Sequence, residues 1–281
     1  MYAMEINNLS YVYPNGEKAL TEISGEIPIN SKVIILGSSG SGKSTLARHL
    51  SGLTIPQMGS VSVLGQEINS KSKRFLHQRL GFVPQDFQSS FFIRTVWEYV
   101  TSELIKKSLP KADMIKLAET ALGIVGMLDY KDHSLSYLST THKRKIALAK
   151  ALANQVEILV MDEPVSGLDP SGYSDIVSLL NGLHFMGKTI IVLTHDVDFA
   201  ASWSERLFLL SEGSFIAAGS PALTIDETLM RKARLRVPVI SLPFSRLPEL
   251  KLENIPRTVD EAVRVLWEIG VNQTSIREAW K

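Results

Sequence analysis

The 281-residue sequence contains no cysteine, which excludes disulfide bonds, thiolate zinc sites and cysteine nucleophiles. It also has no excess of either charge, because 30 lysines and arginines against 29 acidic residues leave a net charge of +1. A chain this balanced has no field that attracts nucleic acid or anionic lipid non-specifically. Its basic cluster, Arg231–Arg236, is flanked by acidic residues and has no interleaved aromatics. We therefore predict a solvated face there and no nucleic-acid partner.

Long apolar runs are absent as well. The longest, Val33–Leu36, Ile158–Met161 and Ile190–Leu193, cover only a few residues, whereas a helix that crosses a bilayer needs about 18. The N-terminal residues also lack the basic and apolar regions of a signal peptide. We therefore expect an intracellular chain that does not itself span a membrane, although it can still bind a membrane protein.

The length of the chain predicts about two domains, at roughly 150 residues each. Five of the 12 prolines lie between residues 221 and 256, where they prevent long uninterrupted elements. After them, Thr258 and Glu261 form a capping-box pattern, and Gly270 is the predicted end of the helix that follows. The apolar face predicted for this helix consists of Ala262, Val263, Leu266 and Ile269. We predict one large domain at 1–220 and a small helical extension at 221–281.

Residues 1–220 alternate between β-rich and helical stretches. The runs Lys32–Leu36, Glu157–Met161 and Thr189–Thr194 are typical of strands buried on both faces, as in a parallel sheet covered by helices. Other strands are predicted at 3–6, 9–13, 206–210 and 215–218, and helices from Lys43 and at 110–128, 142–154 and 173–186. The predicted fold is an α/β P-loop core with a small antiparallel β-subdomain at about 1–30 and 59–68 and a helical subdomain at about 88–155.

A glycine-rich segment separates the predicted strand at 32–36 from the helix that begins near Lys43. It fits the pattern G-x4-G-K-[ST], in which glycines let successive backbone N–H groups point at phosphate oxygens at a helix N-terminus. Lys43 then reaches the β- and γ-phosphates and Ser44 binds Mg²⁺. The alternative, a Gly/Ser surface linker, does not explain the strand and helix on either side. The predicted ATP-binding residues here are Gly37, Ser38, Ser39, Gly40, Ser41, Gly42, Lys43, Ser44 and Thr45.

Two adjacent carboxylates, Asp162 and Glu163, end a buried run, and His195 ends the next one. Adjacent side chains at a strand tip point to opposite faces, so Asp162 can hold Mg²⁺ while Glu163 polarises an attacking water. Alone, the acidic pair is more typical of a helix N-cap, and a lone histidine is usually a satisfied polar residue. Because nucleotide sites form at the carboxyl ends of parallel strands, we predict all three residues in one site with the glycine-rich segment.

The order of these motifs resembles that of the ATP-binding subunits of ABC transporters, over about residues 3–220. The series consists of the P-loop, Gln85, Leu138-Ser139, Asp162-Glu163, Asp169 and His195. The resemblance implies ATP hydrolysis with Mg²⁺ by two such subunits closed face to face, bound peripherally at the cytoplasmic face of the membrane. The roles it implies are adenine stacking for Tyr13, Mg²⁺ contact and coupling to the membrane subunit for Gln85, general base for Glu163, dimer contact for Asp169 and γ-phosphate contact for His195.

The segment from Gln85 to Glu98, Gln-Asp-Phe-Gln-Ser-Ser-Phe-Phe-Ile-Arg-Thr-Val-Trp-Glu, narrows this resemblance. It is similar to a segment of energy-coupling-factor (ECF) transporter ATPases, with Ser90 in place of a second glutamine, and the 221–281 tail resembles their C-terminal extension. Such a subunit powers uptake of a small nutrient, a vitamin or transition-metal ion, with a second ATPase subunit, a transmembrane coupling subunit and a substrate-binding membrane subunit. Another ABC importer or exporter, and a soluble ABC ATPase without a transport role, remain as alternatives.

One motif departs from the family pattern. The ABC signature is Leu-Ser-Gly-Gly-Gln, and this chain has Leu138-Ser139-Thr140-Thr141-His142. In the family this segment caps the γ-phosphate held by the partner subunit, where glycines allow close backbone approach and β-branched threonines are stiff. Ser139 remains a possible γ-phosphate donor. Either the threonines are tolerated or the half-site that they form is weakened, and we predict the second together with an asymmetric heterodimer.

Overall fold

The computed structural model describes residues 1–85, 94–107, 109–250, 252 and 254–278. The segment after Gln85 that resembles ECF ATPases therefore lies largely outside the described residues. The strands are, in chain order, β1 (Tyr2–Val12), β2 (Lys18–Pro28), β3 (Lys32–Leu36), β4 (Met58–Val63), β5 (Gln66–Glu67), β6 (Leu80–Val83), β7 (Ile158–Asp162), β8 (Thr189–Thr194), β9 (Arg206–Ser211) and β10 (Ser214–Gly219).

Helices lie on both faces of the central sheet, which β3 and β6–β10 form. They are α1 (Lys43–Leu50), α2 (Lys73–Arg79), α3 (Val96–Thr101), α4 (Lys111–Ile124), α5 (Thr140–Leu152), α6 (Pro170–Phe185), α7 (Val197–Trp203), α8 (Glu227–Lys232), α9 (Ser241–Ser245) and α10 (Val259–Glu278). In the described parts of the chain, no helix combines the length and the hydropathy that crossing a membrane requires.

The central sheet has six strands in the order β10-β9-β3-β8-β7-β6. All pairs are parallel except β10 with β9, the strands predicted at 206–210 and 215–218, which pair antiparallel as a hairpin. Successive residues of β3 face two different cores: Ile34 and Leu36 pack towards α5 and α6, and Val33 and Ile35 pack towards α1 and the N-terminal strands. The predicted P-loop α/β core is confirmed, and the carboxyl ends of β3, β7 and β8 meet at one edge of the sheet.

The antiparallel subdomain is a four-stranded sheet in the order β2-β1-β4-β5. The prediction of two strands at 3–6 and 9–13 is wrong, because β1 is continuous. The pairing register shifts between Ile6 and Leu9, where Asn8 adopts a φ of +47° and its N–H donates to Ser24 Oγ at 2.9 Å. A β-bulge absorbs the extra residue and lets the strand continue.

Two predicted helix starts move because polar residues cap the helices earlier. Ser139 Oγ accepts from His142 N at the start of α5, which begins at Thr140 rather than at residue 142. Asp169 caps α6, which begins at Pro170 rather than at residue 173. Capping side chains satisfy the free N–H groups of the first turn, and so they fix where these two helices begin. Helix α4 begins at Lys111, one residue later than predicted, and Pro110 occupies its N-cap position without a side-chain hydrogen bond.

The C-terminal part differs from its prediction in two respects. Gly270 does not end α10, which runs to Glu278, because a glycine inside a helix costs only about 1 kcal/mol. On the predicted apolar face Ala262 is buried, but Val263 and Leu266 are each 57 % exposed. Met230 and Ala233 pack into the core beneath the central sheet. The division of the chain at residue 220 stays a prediction.

Candidate nucleotide site

The glycine-rich loop between β3 and α1 has the conformation of a phosphate cradle. Gly40 and Gly42 have φ values of +78° and +103°, a region that L-residues rarely adopt. A Cβ on Gly37 would lie 2.6 Å from the carbonyl oxygen of Leu210, and one on Gly42 would lie 2.7 Å from that of Ala19. The loop therefore requires glycine at these positions, and it ends at the N-terminus of α1, where a helix dipole favours an anion.

Lys43 lies inside this loop and is only 8 % exposed. Its ammonium donates to the carbonyl oxygens of Gly37 and Ser38 at 2.9 and 3.0 Å and lies 3.8 Å from Glu163 Oε1. Burial lowers the pKa of Lys43 below its ordinary value, while the nearby charges of Glu163 and Asp162 oppose that shift. The ammonium is held where an incoming phosphate can replace the carbonyl oxygens.

Asp162, at the tip of β7, has the character of a metal ligand. Its Oδ1 atom is buried and, within the described residues, has no hydrogen-bond partner. Burial raises the pKa of Asp162, while a hydrogen bond with Ser44 lowers it. A desolvated carboxylate oxygen beside a hydroxyl matches the hard oxygen ligands that Mg²⁺ prefers. The residues present therefore fit the predicted Mg²⁺ site.

Glu163, directly after β7, is the most tightly held acid of the site. Its Oε1 lies 2.6 Å from His195 Nδ1 and accepts from His195 N at 3.0 Å, and its Oε2 accepts from Thr194 Oγ1 at 2.8 Å. Its φ is +48°, and its N–H donates to the carbonyl of Leu193 at 2.9 Å. Strained residues of this kind concentrate at functional sites. The geometry joins an acid and a histidine at the loop, as the sequence predicts.

Most of the predicted residues line one cleft of about 490 Å³. Tyr13 lies at this cleft, and its hydroxyl is 2.6 Å from Thr45 Oγ1. Gln85 also faces the cleft, and Arg144 of α5 donates to the carbonyls of Gln85 and Pro84. The predicted residues in the lining are Tyr13, Ser39, Gly40, Gly42, Lys43, Ser44, Thr45, Gln85, Asp162, Glu163 and His195.

Some predicted residues are not in the lining, and some lining residues are not predicted. Ser139 belongs to the helical subdomain and does not line the cleft, while Gly37, Ser38 and Ser41 form the inner side of the loop. Thr194 is missed because a threonine that ends a strand has no distinctive sequence signal. Lining residues that the sequence analysis missed are Glu17, Lys18, Ala19, Glu212 and Gly213. The last two form the turn between β9 and β10.

The signature segment is joined to α6 within the same chain. Thr140 and Thr141 form the first turn of α5, and Thr141 Oγ1 lies only 2.2 Å from the position that a Cβ on Gly172 would take. Asp169 Oδ1 accepts from Gly172 N at 2.8 Å, and Lys145 pairs with Asp175 at 2.6 Å one turn further along. Because Gly172 of α6 has no side chain, the Thr141 side chain can pack against the backbone of α6 at this position.

The family comparison agrees with this geometry. The sequence profile described as "ABC transporter" matches residues 20–166. An energy-coupling factor transporter ATP-binding protein from Carboxydothermus hydrogenoformans is 37 % identical over 264 residues, which cover 94 % of this chain and 97 % of the relative. A cobalt import ATP-binding protein from Rhodobacter capsulatus is 36 % identical over 260 residues, which cover 90 % of this chain and 92 % of the relative.

Solved structures agree as well. CbiO1 from Clostridium perfringens, described as part of the ABC transporter complex cbiONQ, has a TM-score of 0.73 and 30 % identity and covers 89 % of this chain and 98 % of its own. A dimeric ATP-binding cassette in a post-hydrolysis state, bound to ADP and phosphate, has a TM-score of 0.69 and 29 % identity over 78 % of this chain and 98 % of its own.

The fold, the cleft and these similarities define a P-loop ATPase of the ABC type. The chain belongs to the ABC transporter ATP-binding family, and it hydrolyses ATP. Within that family, its similarity along nearly the whole chain is to the ATP-binding proteins of energy-coupling-factor transporters.

The contact between Thr141 and Gly172 makes a stability prediction. Gly172→Ala introduces a methyl group that overlaps Thr141 Oγ1, and overpacking of this kind typically costs about 1–3 kcal/mol. Gly182→Ala in the same helix is the matched control. Apart from the neighbouring backbone of its own helix, no described atom lies within 4 Å of the Cβ that it adds, and it gains helix propensity of up to about 1 kcal/mol.

Urea unfolding of both variants measures the difference. We expect Gly172→Ala to lower the free energy of unfolding and Gly182→Ala to raise it. Thr141→Gly should remove the part of the cost of Gly172→Ala that is due to Thr141, while the contact of the added methyl group with Asp169 Oδ1, at 2.7 Å, remains. Equal effects of the two alanines would show that Thr141 does not pack against Gly172.

Proposed function

We propose that this chain is the ATP-hydrolysing subunit that powers uptake of a small nutrient, a vitamin or a transition-metal ion, through an ECF-type ABC transporter. The observation that carries the proposal is the meeting of Lys43, Asp162, Glu163 and His195 in one cleft at the carboxyl edge of the parallel sheet. The similarity to energy-coupling-factor and cobalt import ATP-binding proteins supports the transport role. Its partners are a second ATPase subunit, a transmembrane coupling subunit and a substrate-binding membrane subunit, at the cytoplasmic face of the membrane.

The chemistry follows from the positions of the side chains. Phosphate oxygens replace the Gly37 and Ser38 carbonyls as acceptors for the Lys43 ammonium. Ser44, Gln85 and Asp162 would hold Mg²⁺, which would supply positive charge to offset the negative charge of the phosphates.

Glu163 and His195 complete the reaction site. In this structure the imidazole, the backbone N–H of residue 195 and the Thr194 hydroxyl fix the carboxylate of Glu163. Glu163 then orients water in line with the γ-phosphate, and His195 turns towards the γ-phosphate oxygens once ATP is bound. Because a positioned base typically contributes about 10²–10⁴-fold to a rate, Glu163 supplies a large part of the turnover.

The transport role is tested by affinity purification of the tagged chain from native membranes in mild detergent. We expect a second ABC ATPase and at least one multi-helix membrane protein in stoichiometric amounts, because the proposed transporter contains a second ATPase subunit and two membrane subunits. An untagged preparation carried through the same steps controls for non-specific retention. Recovery of the chain with soluble proteins alone would contradict the transport role and favour a soluble ABC ATPase.

Replacement of the proposed base tests the reaction mechanism. Glu163→Gln keeps the size of the side chain but removes its basicity, so we expect ATP binding to persist and turnover to fall by about 10²–10⁴-fold. Glu157→Gln, at the opposite end of β7 and paired with Arg79, is the matched control and should hydrolyse ATP normally. Turnover by Glu163→Gln at the rate of the original chain would show that another group activates the water.

We further propose that the chain works in an asymmetric heterodimer. It has its own Lys43, Glu163 and His195, but it offers its partner a signature segment in which Thr140 and Thr141 replace glycines. A partner with the Leu-Ser-Gly-Gly-Gln signature would complete the nucleotide site on this chain, and this site would hydrolyse ATP faster than the other. The partner's site, closed by the two threonines, would retain ATP and hydrolyse it slowly.

The heterodimer is tested by ATPase assays of the lone chain, of the chain with its co-purified partner, and of the Thr140→Gly/Thr141→Gly variant. We expect slow hydrolysis by the lone chain, since a homodimer carries both threonines at each site, and faster hydrolysis with the partner or the two glycines. Rapid turnover by the lone chain, without gain from the glycines, would leave the threonines as a tolerated variation.

A further inference from the structure

Four side chains form a closed cluster beside the nucleotide cleft. The Tyr13 hydroxyl lies 2.6 Å from Thr45 Oγ1, and His49 Nδ1 lies 2.8 Å from the Thr45 carbonyl oxygen. The Tyr11 ring meets Tyr13 and His49 edge-on, with centroid distances of 5.2 and 4.7 Å. Each member thus touches two others, and the cluster joins the end of β1 to helix α1.

His49 occupies the inner side of this cluster. It is 0 % exposed, and its Nε2 atom has no hydrogen-bond partner among the residues that the structure describes. Because the Thr45 carbonyl can only accept, Nδ1 carries the proton of a neutral ring. A second proton would be buried without an acceptor, and burial accordingly lowers the pKa of His49. His49 is therefore a neutral donor with a fixed ring orientation.

Only two of the four residues of the cluster line the nucleotide cleft. Tyr13 and Thr45 line the cleft, and Tyr11 and His49 do not. Tyr13 itself lies at the start of a turn, in which Gly16 N donates to its carbonyl at 2.9 Å. The hydrogen bonds of that turn involve the backbone of Tyr13, whereas the contacts with Thr45 and Tyr11 hold its ring.

We propose that His49 is a positioning residue for the nucleobase, because it holds Thr45 and Tyr11 where they fix the Tyr13 ring for stacking on the base of ATP. The inference rests on the proposed function, since Tyr13 meets a base only if the cleft binds ATP. Without the contacts of His49 with Thr45 and Tyr11, the Tyr13 side chain must be ordered when the nucleotide binds, and this weakens binding. Ordering one such side chain corresponds to an about two- to twelvefold loss of affinity.

Two substitutions of His49 separate its hydrogen bond from its ring. His49→Phe keeps a ring against Tyr11 and loses the donor to Thr45, and His49→Asn keeps a donor at a similar position and loses the ring. The readout is calorimetric affinity for ATP and for inorganic tripolyphosphate, which has no base. We expect both variants to bind ATP about two- to twelvefold more weakly and tripolyphosphate as the original chain does.

A double substitution tests whether His49 acts through Tyr13. Tyr13→Ala weakens ATP binding through lost stacking, and addition of His49→Phe should then cause no further loss. His184→Phe is the matched control, because that ring nitrogen also contacts a backbone carbonyl, that of Asn30 at 3.2 Å, away from the cleft. If the His49 variants do not fold, Tyr13→Phe is used instead, because it removes only the hydroxyl bonded to Thr45. Its calorimetric affinities for ATP and for tripolyphosphate are then compared in the same way.

The outcomes distinguish the two proposals. Equal losses for ATP and tripolyphosphate, or additive losses in the double variant, would overturn the role of His49 while ATP binding by the original chain stands. Failure of the original chain to bind ATP would overturn the proposed function and, with it, this inference.

Discussion

The placement of the Lys43 ammonium is the constraint on which the rest of the site depends. The side chain is 8 % exposed and lies between two loop carbonyls and the carboxylate of Glu163. A buried cation needs such partners, since burial without them costs far more than a hydrogen bond provides. The loop must therefore bend around it, and two left-handed glycines, Gly40 and Gly42, make that bend possible.

The helical subdomain is connected to this centre through side chains of one helix. Arg144 of α5 donates to the carbonyls of Pro84 and Gln85, and Lys145 pairs with Asp175 of α6. The same helix begins with the signature threonines, one of which fills the space above Gly172. Helix α5 therefore links Gln85, which lines the nucleotide cleft, to the signature threonines and to the start of α6.

The sequence predicts the centre of the molecule well because its signals there are local. The glycine-rich loop, the buried runs of β3, β7 and β8 and the acids that follow them each have a short pattern with a direct physical meaning. Convergence of Glu163 and His195 follows from the parallel sheet, since the carboxyl ends of neighbouring strands meet at one edge.

Features that depend on distant residues could not be predicted in this way. The bulge at Asn8 depends on Ser24 of the neighbouring strand, and the space for Thr141 depends on a glycine about 30 residues further along the chain. The hydroxyl of Thr194 bonds Glu163 only because two strands pair in a particular register. Gly270 shows the opposite error. Glycine often marks the end of a helix, but α10 continues through Gly270 to Glu278.

The central claim is that the Lys43 loop binds the phosphates of ATP. Calorimetric titration of the chain with ATP and Mg²⁺, compared with Lys43→Ala and with Lys111→Ala as a control at an exposed position, tests it most directly. Loss of a charge-assisted bond of about 1.5–3 kcal/mol predicts an about ten- to 150-fold weaker affinity for Lys43→Ala and no change for the control. Equal affinity in all three proteins would contradict the assignment of this loop as the nucleotide site.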